Sequence, residues 1–153
     1  FRPRIVSKVE SVDGATVREY GPELIRTIAL KPDTIKRLHA ALADVVKAGT
    51  GGMARSPIID IAGKTGTAQV VEMKGGYVKS EQLAYFSRDH AWFVSFAPVD
   101  NPQIAIAVLV EHGGHGGEAA APMAKKVYEK FIEIQKQGSD KQQARLEGES
   151  HAD

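Results

Sequence analysis

The first third of the chain carries two patterns of apolar and polar positions. Between residues 4 and 30 the two kinds of side chain alternate on both sides of a Val-Asp-Gly turn at 12–14, which predicts a hairpin or two short extended segments. From Pro32 to Ala48 apolar residues recur at helical spacing, with Pro32 suited to the first turn and Gly49 to the end of a helix. These apolar residues are Ile35, Leu38, Leu42, Val45 and Val46.

The remaining two thirds contain strand-like runs and a second helix. Residues 58–72 are rich in strand-forming side chains, and the runs at 91–99 and 103–112 flank an Asp-Asn-Pro turn, which predicts an antiparallel hairpin. The run at 103–112 is apolar on both faces, so we expect a central strand covered on both sides. Pro122 opens the second helix. Its inward stripe is predicted to hold Met123, Val127, Phe131 and Ile134.

Polar or glycine-rich segments separate these elements. Residues 49–52 form a loop, 72–90 an excursion between strands, and 113–117 a flexible connection. From residue 138 to 153 the sequence is polar and predicts a flexible tail. The whole pattern predicts an α/β fold, in which an antiparallel sheet of about three strands is packed by helices, including a C-terminal helix.

Composition excludes several classes of function. The 153 residues are 42% hydrophobic, enough for one domain with a core, and the net charge of +1 gives no reason to expect a nucleic-acid partner. Cysteine is absent, which removes disulfides and thiolate metal ligands. His112 and His115 lie in a glycine-rich segment beside Glu111, a setting more typical of chain flexibility than of a metal site. We assign no metal and no cofactor.

The segment AGKTGTAQVV at 62–71 contains Gly-Lys-Thr, which could belong to a phosphate-binding loop or to an acyl-transfer site. The phosphate-binding loop requires a second glycine five residues before Gly63, and that position holds Ile58. The residues after the motif also continue as a strand pattern instead of a helix. The nucleotide interpretation is therefore rejected.

Lys-Thr-Gly on a strand is the third signature of serine acyl-transferases that act on β-lactams and D-Ala-D-Ala peptides. Alternation along the strand places Lys64 and Gly66 on one face and Thr65 and Thr67 on the other. A lysine supplies a cation near the nucleophile, the threonines supply hydroxyls for a carboxylate, and the glycine lets a substrate backbone approach closely. An edge strand could capture an extended peptide as one more strand.

The order of motifs resembles one protein family. GKTGTAQ, the FAP before a turn ending in NP, and the EHGG segment followed by AAP together resemble the C-terminal part of the transpeptidase domain of class B penicillin-binding proteins, most of all the cell-elongation type, penicillin-binding protein 2. The likeness covers roughly residues 4–135. It implies a peptidoglycan D,D-transpeptidase, which cross-links the cell wall and is the target of β-lactams.

The resemblance also implies residue roles. Lys64 would hydrogen-bond towards a serine of the family's second motif and help organise proton transfer. Thr65 and Thr67 would contact the carboxylate of substrate or antibiotic, and the Thr67 amide would complete the oxyanion hole. We therefore expect Lys64 and Thr67 to be catalytic, and Thr65, Gly66 and Thr67 to bind substrate.

Several aromatic residues follow the motif along the chain. Trp92 and Phe96 are expected to fill the core. Tyr85 or Phe86 could cover the substrate groove or anchor the loop that carries them.

The chain departs from the family in one respect. The family's nucleophile lies in Ser-x-x-Lys and its second motif is Ser-x-Asn, and no serine here has Lys three residues on or Asn two residues on. These serines are Ser7, Ser11, Ser56, Ser80, Ser87, Ser95, Ser139 and Ser150. We therefore expect residues 1–137 to be an incomplete C-terminal portion of the domain, followed by the tail at 138–153, and inactive alone.

Partners and location follow from the resemblance. The parent protein is expected to be anchored in the bacterial inner membrane, to act on its periplasmic side, and to bind stem peptides, β-lactams and membrane proteins of the elongation machinery. This chain is expected to bind the missing N-terminal half of its domain or to self-associate through the apolar strand at 103–111. The alternatives are a D,D-carboxypeptidase or β-lactamase fragment, and a non-catalytic module that senses or binds β-lactams.

Overall fold

The computed structural model describes residues 1–71, 78 and 80–149. It divides into two compact units, Phe1–Ile35 and Lys36–Asp153. In the first unit, strands β1 (Lys8–Glu10) and β2 (Thr16–Glu19) pair antiparallel, which confirms the predicted hairpin. Gly14 closes its turn at φ +83°, a conformation that favours glycine. Near the hairpin, hydrogen bonds from Arg2 and Arg4 lower the pKa of Glu23.

Helix α1 runs over Pro32–Lys47 and confirms the predicted amphipathic helix. Asp33 in its first turn and Lys47 in its last turn have the signs that complement the helix dipole. The helix ends before Gly49, where an added Cβ atom would lie 2.9 Å from the Val45 Cα atom. Glycine therefore lets the chain turn tightly against the last turn of the helix.

The second unit is built on a three-stranded antiparallel sheet. Its strands are β3 (Ala62–Ala68), β4 (His90–Ala97) and β5 (Ile104–Val110), in the order β3-β4-β5. The predicted β4-β5 hairpin is confirmed. The expectation that the second strand of this hairpin is central was wrong, because β4 occupies the middle and β5 lies at an edge of the described sheet. The apolar residues of β5 alternate between half-buried and exposed positions.

The core lies on one face of this sheet, beneath helices α2 (Gly116–Ala119) and α3 (Ala121–Glu149). On β4 the fully buried aromatic residue is Phe93. The expectation that Trp92 and Phe96 fill the core was wrong, because strand alternation turns both towards the opposite face, where they are partly exposed. Phe96 there packs against His39 of α1, with ring centroids 4.7 Å apart.

Helix α3 contacts the sheet through a different stripe from the one predicted. Ala121, Ala124 and Tyr128 are fully buried, whereas Val127 and Ile134 are exposed. Small alanine side chains let the helix backbone approach the sheet closely, so the larger apolar side chains turn outward. The buried Tyr128 hydroxyl donates a 3.0 Å hydrogen bond to Ser95 Oγ, which satisfies both groups inside the core.

The backbone of α3 continues through Gly138 to Glu149. The flexible tail expected at 138–153 lies partly outside the described residues and stays a prediction. Among the described residues, no helix combines the length and apolar character needed to cross a membrane.

Candidate active site

The four residues of the Lys-Thr-Gly-Thr segment lie on β3 and line one cleft of about 500 Å³. The structure therefore brings together every site residue that the sequence predicted. Other residues on the same cleft come from the loop after α1 and from the start of α2. They are Thr50, His115, Gly116, Gly117 and Glu118.

The cleft runs along the edge of the sheet. Thr65 lies opposite the buried Phe93, whereas Lys64 lies opposite Val94 on the other face, so the predicted alternation is confirmed. Both sets of side chains reach the cleft because β3 has no neighbour on its outer side within the described sheet. Alternate backbone N–H and C=O groups of such a strand point away from the sheet, where an extended peptide could pair with them.

Thr50 is a site residue that the sequence did not reveal. Its hydroxyl lies 2.8 Å from the Thr65 hydroxyl, so one of the two donates a hydrogen bond to the other. This bond restricts the rotation of the Thr65 side chain and orients its remaining hydrogen-bonding capacity. Thr50 stands in a glycine-rich loop, and only its tertiary contact with β3 distinguishes it from an ordinary loop residue.

Opposite charges border the cleft. The exposed Lys64 side chain donates a 2.6 Å hydrogen bond from Nζ to the carbonyl oxygen of Thr65. Glu118, in the first turn of α2, lines the same cleft. Lys64 and the two threonines thus line the same cleft, an arrangement suited to holding a carboxylate or a developing oxyanion.

The glycines at the start of α2 form a closely packed wall. A Cβ atom added at Gly116 would lie 2.0 Å from the carbonyl oxygen of Trp92 and 2.6 Å from that of Gly66. A Cβ atom added at Gly117 would lie 2.1 Å from the carbonyl oxygen of Thr50. These distances are too short for any side chain. The expectation that this segment is merely a flexible connection was therefore wrong at these two positions.

A cluster of aromatic rings outside the cleft lining contains Tyr85, Phe86 and His112. Tyr85 and Phe86 lie against His112, with ring centroids 5.1 and 5.7 Å apart. This contact favours the expectation that they anchor the loop that carries them over the expectation that they cover the substrate groove. In the part of the chain that the structure describes, no three histidine or carboxylate side chains group together as a metal site would require.

A larger concavity, of about 700 Å³, lies within the first unit and is a weaker candidate. Its lining is mostly apolar, and its two arginines, Arg4 and Arg18, stack against the Tyr20 ring. It contains none of the residues that predicted acyl-transfer chemistry.

The cleft can bind and stabilise charge, but its described lining includes no serine or cysteine. Acyl transfer through a covalent intermediate requires an activated nucleophile in addition to the groups that stabilise the oxyanion. The described lining thus supplies groups suited to holding an anion and no nucleophile of these two types.

Comparison with known proteins identifies the family. Residues 1–129 match the model of the penicillin-binding protein transpeptidase domain. The peptidoglycan D,D-transpeptidase MrdA of Acinetobacter baumannii is 40% identical over 131 residues, which cover 85% of this chain and 19% of that protein. The chain therefore belongs to the penicillin-binding protein transpeptidase family, as part of a class B transpeptidase domain. It spans about a fifth of the length of this curated relative.

Solved structures support the same assignment. Penicillin-binding protein A from M. tuberculosis, solved as a ceftriaxone acyl-enzyme complex, is 29% identical with a TM-score of 0.65, and the match covers 84% of this chain and 27% of that one. Penicillin-binding protein 2 of Helicobacter pylori, solved in complex with MreC, is 32% identical with a TM-score of 0.57, and the match covers 69% and 19%. The α/β fold, with its antiparallel sheet and C-terminal helix, is thus that of part of a transpeptidase domain.

Proposed function

We propose that this chain is the C-terminal portion of the catalytic domain of a peptidoglycan D,D-transpeptidase of the penicillin-binding protein 2 type. Residues 1–137 would contribute the Lys-Thr-Gly strand and one wall of the cleft, and 138–153 a flexible tail. The serine nucleophile would come from a part of the domain outside these 153 residues, since no serine here has the required spacing. The chain alone would then be catalytically inactive.

In the proposed reaction, the serine Oγ attacks the carbonyl carbon between the two D-alanines of a stem peptide. The peptide C–N bond breaks, D-alanine leaves with a proton, and an ester links the acyl group to the serine. An amine of a neighbouring peptidoglycan strand then attacks the ester carbonyl, an amide bond forms, the ester C–O bond breaks, and the serine oxygen takes up the proton that the amine loses. A β-lactam would acylate the same serine when its ring opens.

Lys64 and Thr67 would stabilise the transition states of both steps. The Lys64 ammonium places a positive charge beside the reacting serine, and the Thr67 N–H donates to the developing oxyanion. Thr65 and Thr67 would bind the terminal carboxylate of the substrate through their hydroxyls, with Thr65 oriented by Thr50. Gly66 would leave room for the substrate backbone on the edge of β3. One observation carries this proposal: in a chain of this family, all four residues meet along a strand edge that an extended peptide can approach.

The location and partners of the parent protein are part of the same proposal. It would be anchored in the bacterial inner membrane and act on the periplasmic side, where peptidoglycan lies. Its partners would include membrane proteins of the elongation machinery, a view supported by the Helicobacter pylori relative solved with MreC. Within this chain, exposed apolar residues on one sheet face would contact the rest of the domain or a second copy.

Intact-mass measurement after incubation with benzylpenicillin tests the proposal. We expect no adduct on this chain and one penicilloyl adduct on the full-length protein. A stoichiometric adduct on this chain would place the nucleophile among its own serines and overturn the division of the site. Absence of any adduct on the full-length protein would contradict the transpeptidase assignment itself.

A further inference from the structure

Two histidines outside the cleft take part in hydrogen bonds that connect the segment after β5 with the start of β4 and the loop before it. The backbone N–H of His112, after β5, donates to Nδ1 of His90 at 2.9 Å. The Nδ1 atom of His112 lies 3.2 Å from the carbonyl oxygen of Arg88, at the end of the β3-β4 connection. The two rings are 4.8 Å apart. We call this arrangement, made by His90, His112 and the Arg88 carbonyl, the histidine latch.

The partners in the latch determine where its protons lie. A carbonyl oxygen can only accept, so Nδ1 of His112 carries the proton in that bond. A backbone N–H can only donate, so Nδ1 of His90 presents a lone pair. His90 is therefore neutral in this arrangement, with its proton on Nε2. Protonation of His90 at Nδ1 would place two donors against each other and break the bond.

The backbone of His112 is held in an uncommon conformation. Its φ is +54°, in the left-handed region, which few residues other than glycine adopt and which histidine, asparagine and aspartate tolerate best. Such a conformation costs free energy and persists where surrounding contacts hold it. Here the latch and the packed rings of Tyr85 and Phe86 supply those contacts.

The latch lies directly before the glycine wall of the cleft. The N–H of Gly114 donates to the carbonyl oxygen of Asp89 at 2.9 Å, which adds a second connection between the two loops. Two residues later Gly116 packs against the carbonyl oxygens of Trp92 and Gly66, and Gly117 packs against that of Thr50. Residues 112–114 thus lead directly into the two glycines that pack against these carbonyl oxygens.

We propose that His112 and His90 are positioning residues for the Lys64–Thr67 cleft, and that the cleft is fully formed only while His90 is neutral. This inference rests on the proposed transpeptidase function. His112 sets the turn that delivers Gly116 and Gly117 to the strand edge, and His90 holds that turn. Within the described residues, the titratable or charged groups beside the pair include Tyr85, Arg88 and Asp89, and Glu111 directly precedes His112 in the chain.

The experiment measures the rate of acylation of the full-length protein by a fluorescent penicillin across the acidic to neutral range. His112→Val cannot adopt the left-handed conformation easily, and we expect it to lower the rate by about tenfold or more, as misplacement of a site wall does. His112→Asn tolerates that conformation and can donate to the Arg88 carbonyl from its amide, so it should restore the rate to within about threefold. Rates within about twofold of wild type for His112→Val would overturn the proposal.

A second variant tests the role of neutral His90. In His90→Gln the amide oxygen can accept from the His112 N–H but does not titrate, so the neutral-pH rate should be kept and the fall in rate at acidic pH should be smaller than in wild type. His39→Gln is the matched control, since His39 contacts Phe96 and lies outside the latch. Identical pH profiles for wild type and His90→Gln would contradict the latch.

A direct readout separates this inference from the proposed function. Nitrogen-15 NMR of the histidine rings should show the His112 proton on Nδ1 and the His90 proton on Nε2, and any other pair of tautomers would overturn the latch. Melting temperatures of the variants show whether His112→Val is folded. If it is unfolded, the pH profile of His90→Gln and the histidine tautomers in the wild-type protein test the latch instead. A wild-type protein that is not acylated at all would refute the proposed function while leaving the tautomer result decisive for the latch.

Discussion

The two faces of the three-stranded sheet are both apolar, yet within the described part of the chain α2 and α3 cover only one of them, and the other is largely exposed. On the covered face Ala91, Phe93 and Ala97 are fully buried beneath α2 and α3. On the other face Trp92, Val94 and Leu109 remain 38%, 47% and 43% exposed. On this sheet, the hydrophobicity of a strand residue does not by itself determine its burial. A residue is buried where another element of the chain packs against it.

The open face agrees with the proposal that the rest of the transpeptidase domain lies outside this chain. Exposed apolar patches commonly mark surfaces that another segment or molecule covers. The comparison between the two faces can be tested by substitutions whose effects should differ in size and kind.

Loss of the central side chain of the covered face should have the largest effect on stability. Phe93→Ala removes a fully buried ring that packs beside Gly51 and Gly63. We expect it to lower the free energy of unfolding by about 3–5 kcal/mol, because a cavity replaces the lost contacts. Urea unfolding of wild type and variant checks this, with Phe1→Ala, an exposed ring, as the control. A loss below about 1 kcal/mol would show that Phe93 is not the centre of the core.

Lys64, on the side of β3 that faces away from Phe93, should affect chemistry and leave stability intact. In the full-length protein, Lys64→Ala is expected to slow acylation by a β-lactam by on the order of a hundredfold or more, as loss of one electrostatic stabiliser does. Its melting temperature should stay close to that of wild type, since the side chain is exposed. Lys126→Ala, on the outer surface of α3, is the matched control. Wild-type acylation in the Lys64 variant would remove the support for its catalytic role.

The buried Tyr128–Ser95 hydrogen bond should contribute a smaller amount, and one that depends on pH. Tyr128→Phe is expected to cost about 1 kcal/mol at neutral pH, because the Ser95 hydroxyl loses its partner. Burial raises the pKa of Tyr128 above its ordinary value, and the hydrogen bond with Ser95 offsets part of that rise.

The sign of the pH effect follows from that shift. The unfolded chain loses the phenolic proton first, above about pH 10, so the stability that Tyr128 contributes is present at lower pH. This contribution should fall as the pH rises from about 10 through the raised pKa of Tyr128 in the folded protein. Unfolding free energies of wild type and Tyr128→Phe, measured at neutral and alkaline pH, should therefore converge as pH rises. A gap that widens would contradict the direction of the shift.

Substitution on the open face should have the smallest effect on folding. Leu109→Gln is expected to change the unfolding free energy of this chain by less than about 0.5 kcal/mol, since Leu109 is already exposed. It should nevertheless weaken self-association, which sedimentation velocity can measure. Monodisperse monomers for the wild-type chain would count against the expectation that this face associates.

Several elements could be predicted from the sequence because their signals are local. The Val-Asp-Gly turn with flanking alternation predicted the first hairpin, helical spacing predicted α1, and the Lys-Thr-Gly segment predicted a strand that carries site residues. The phosphate-binding loop could be argued against from the missing glycine at position 58 and from the strand pattern that follows the motif. Each of these signals depends on residues within a few positions of one another.

The side chains that face the core could not be predicted in the same way. Helix α3 carries apolar side chains on more than one stripe, and β4 carries them on both faces. Periodicity shows that a buried face exists, but it does not choose between two apolar faces. The residues buried between helix and sheet are the alanines and Tyr128 of α3 and Phe93 of β4. Small residues at this contact allow the helix to pack closely against the sheet.

What the sequence determined by itself was the kind of each local element and the presence of a Lys-Thr-Gly strand without a matching serine motif. The tertiary structure decided which residues surround that strand: Thr50 beside Thr65, the glycines of α2 against Gly66, and the histidine latch behind them. These contacts join segments that are distant along the chain, and no local period records them. They arise because the packed backbone admits no side chain at Gly116 or Gly117 and because hydrogen-bonding groups of distant segments meet there.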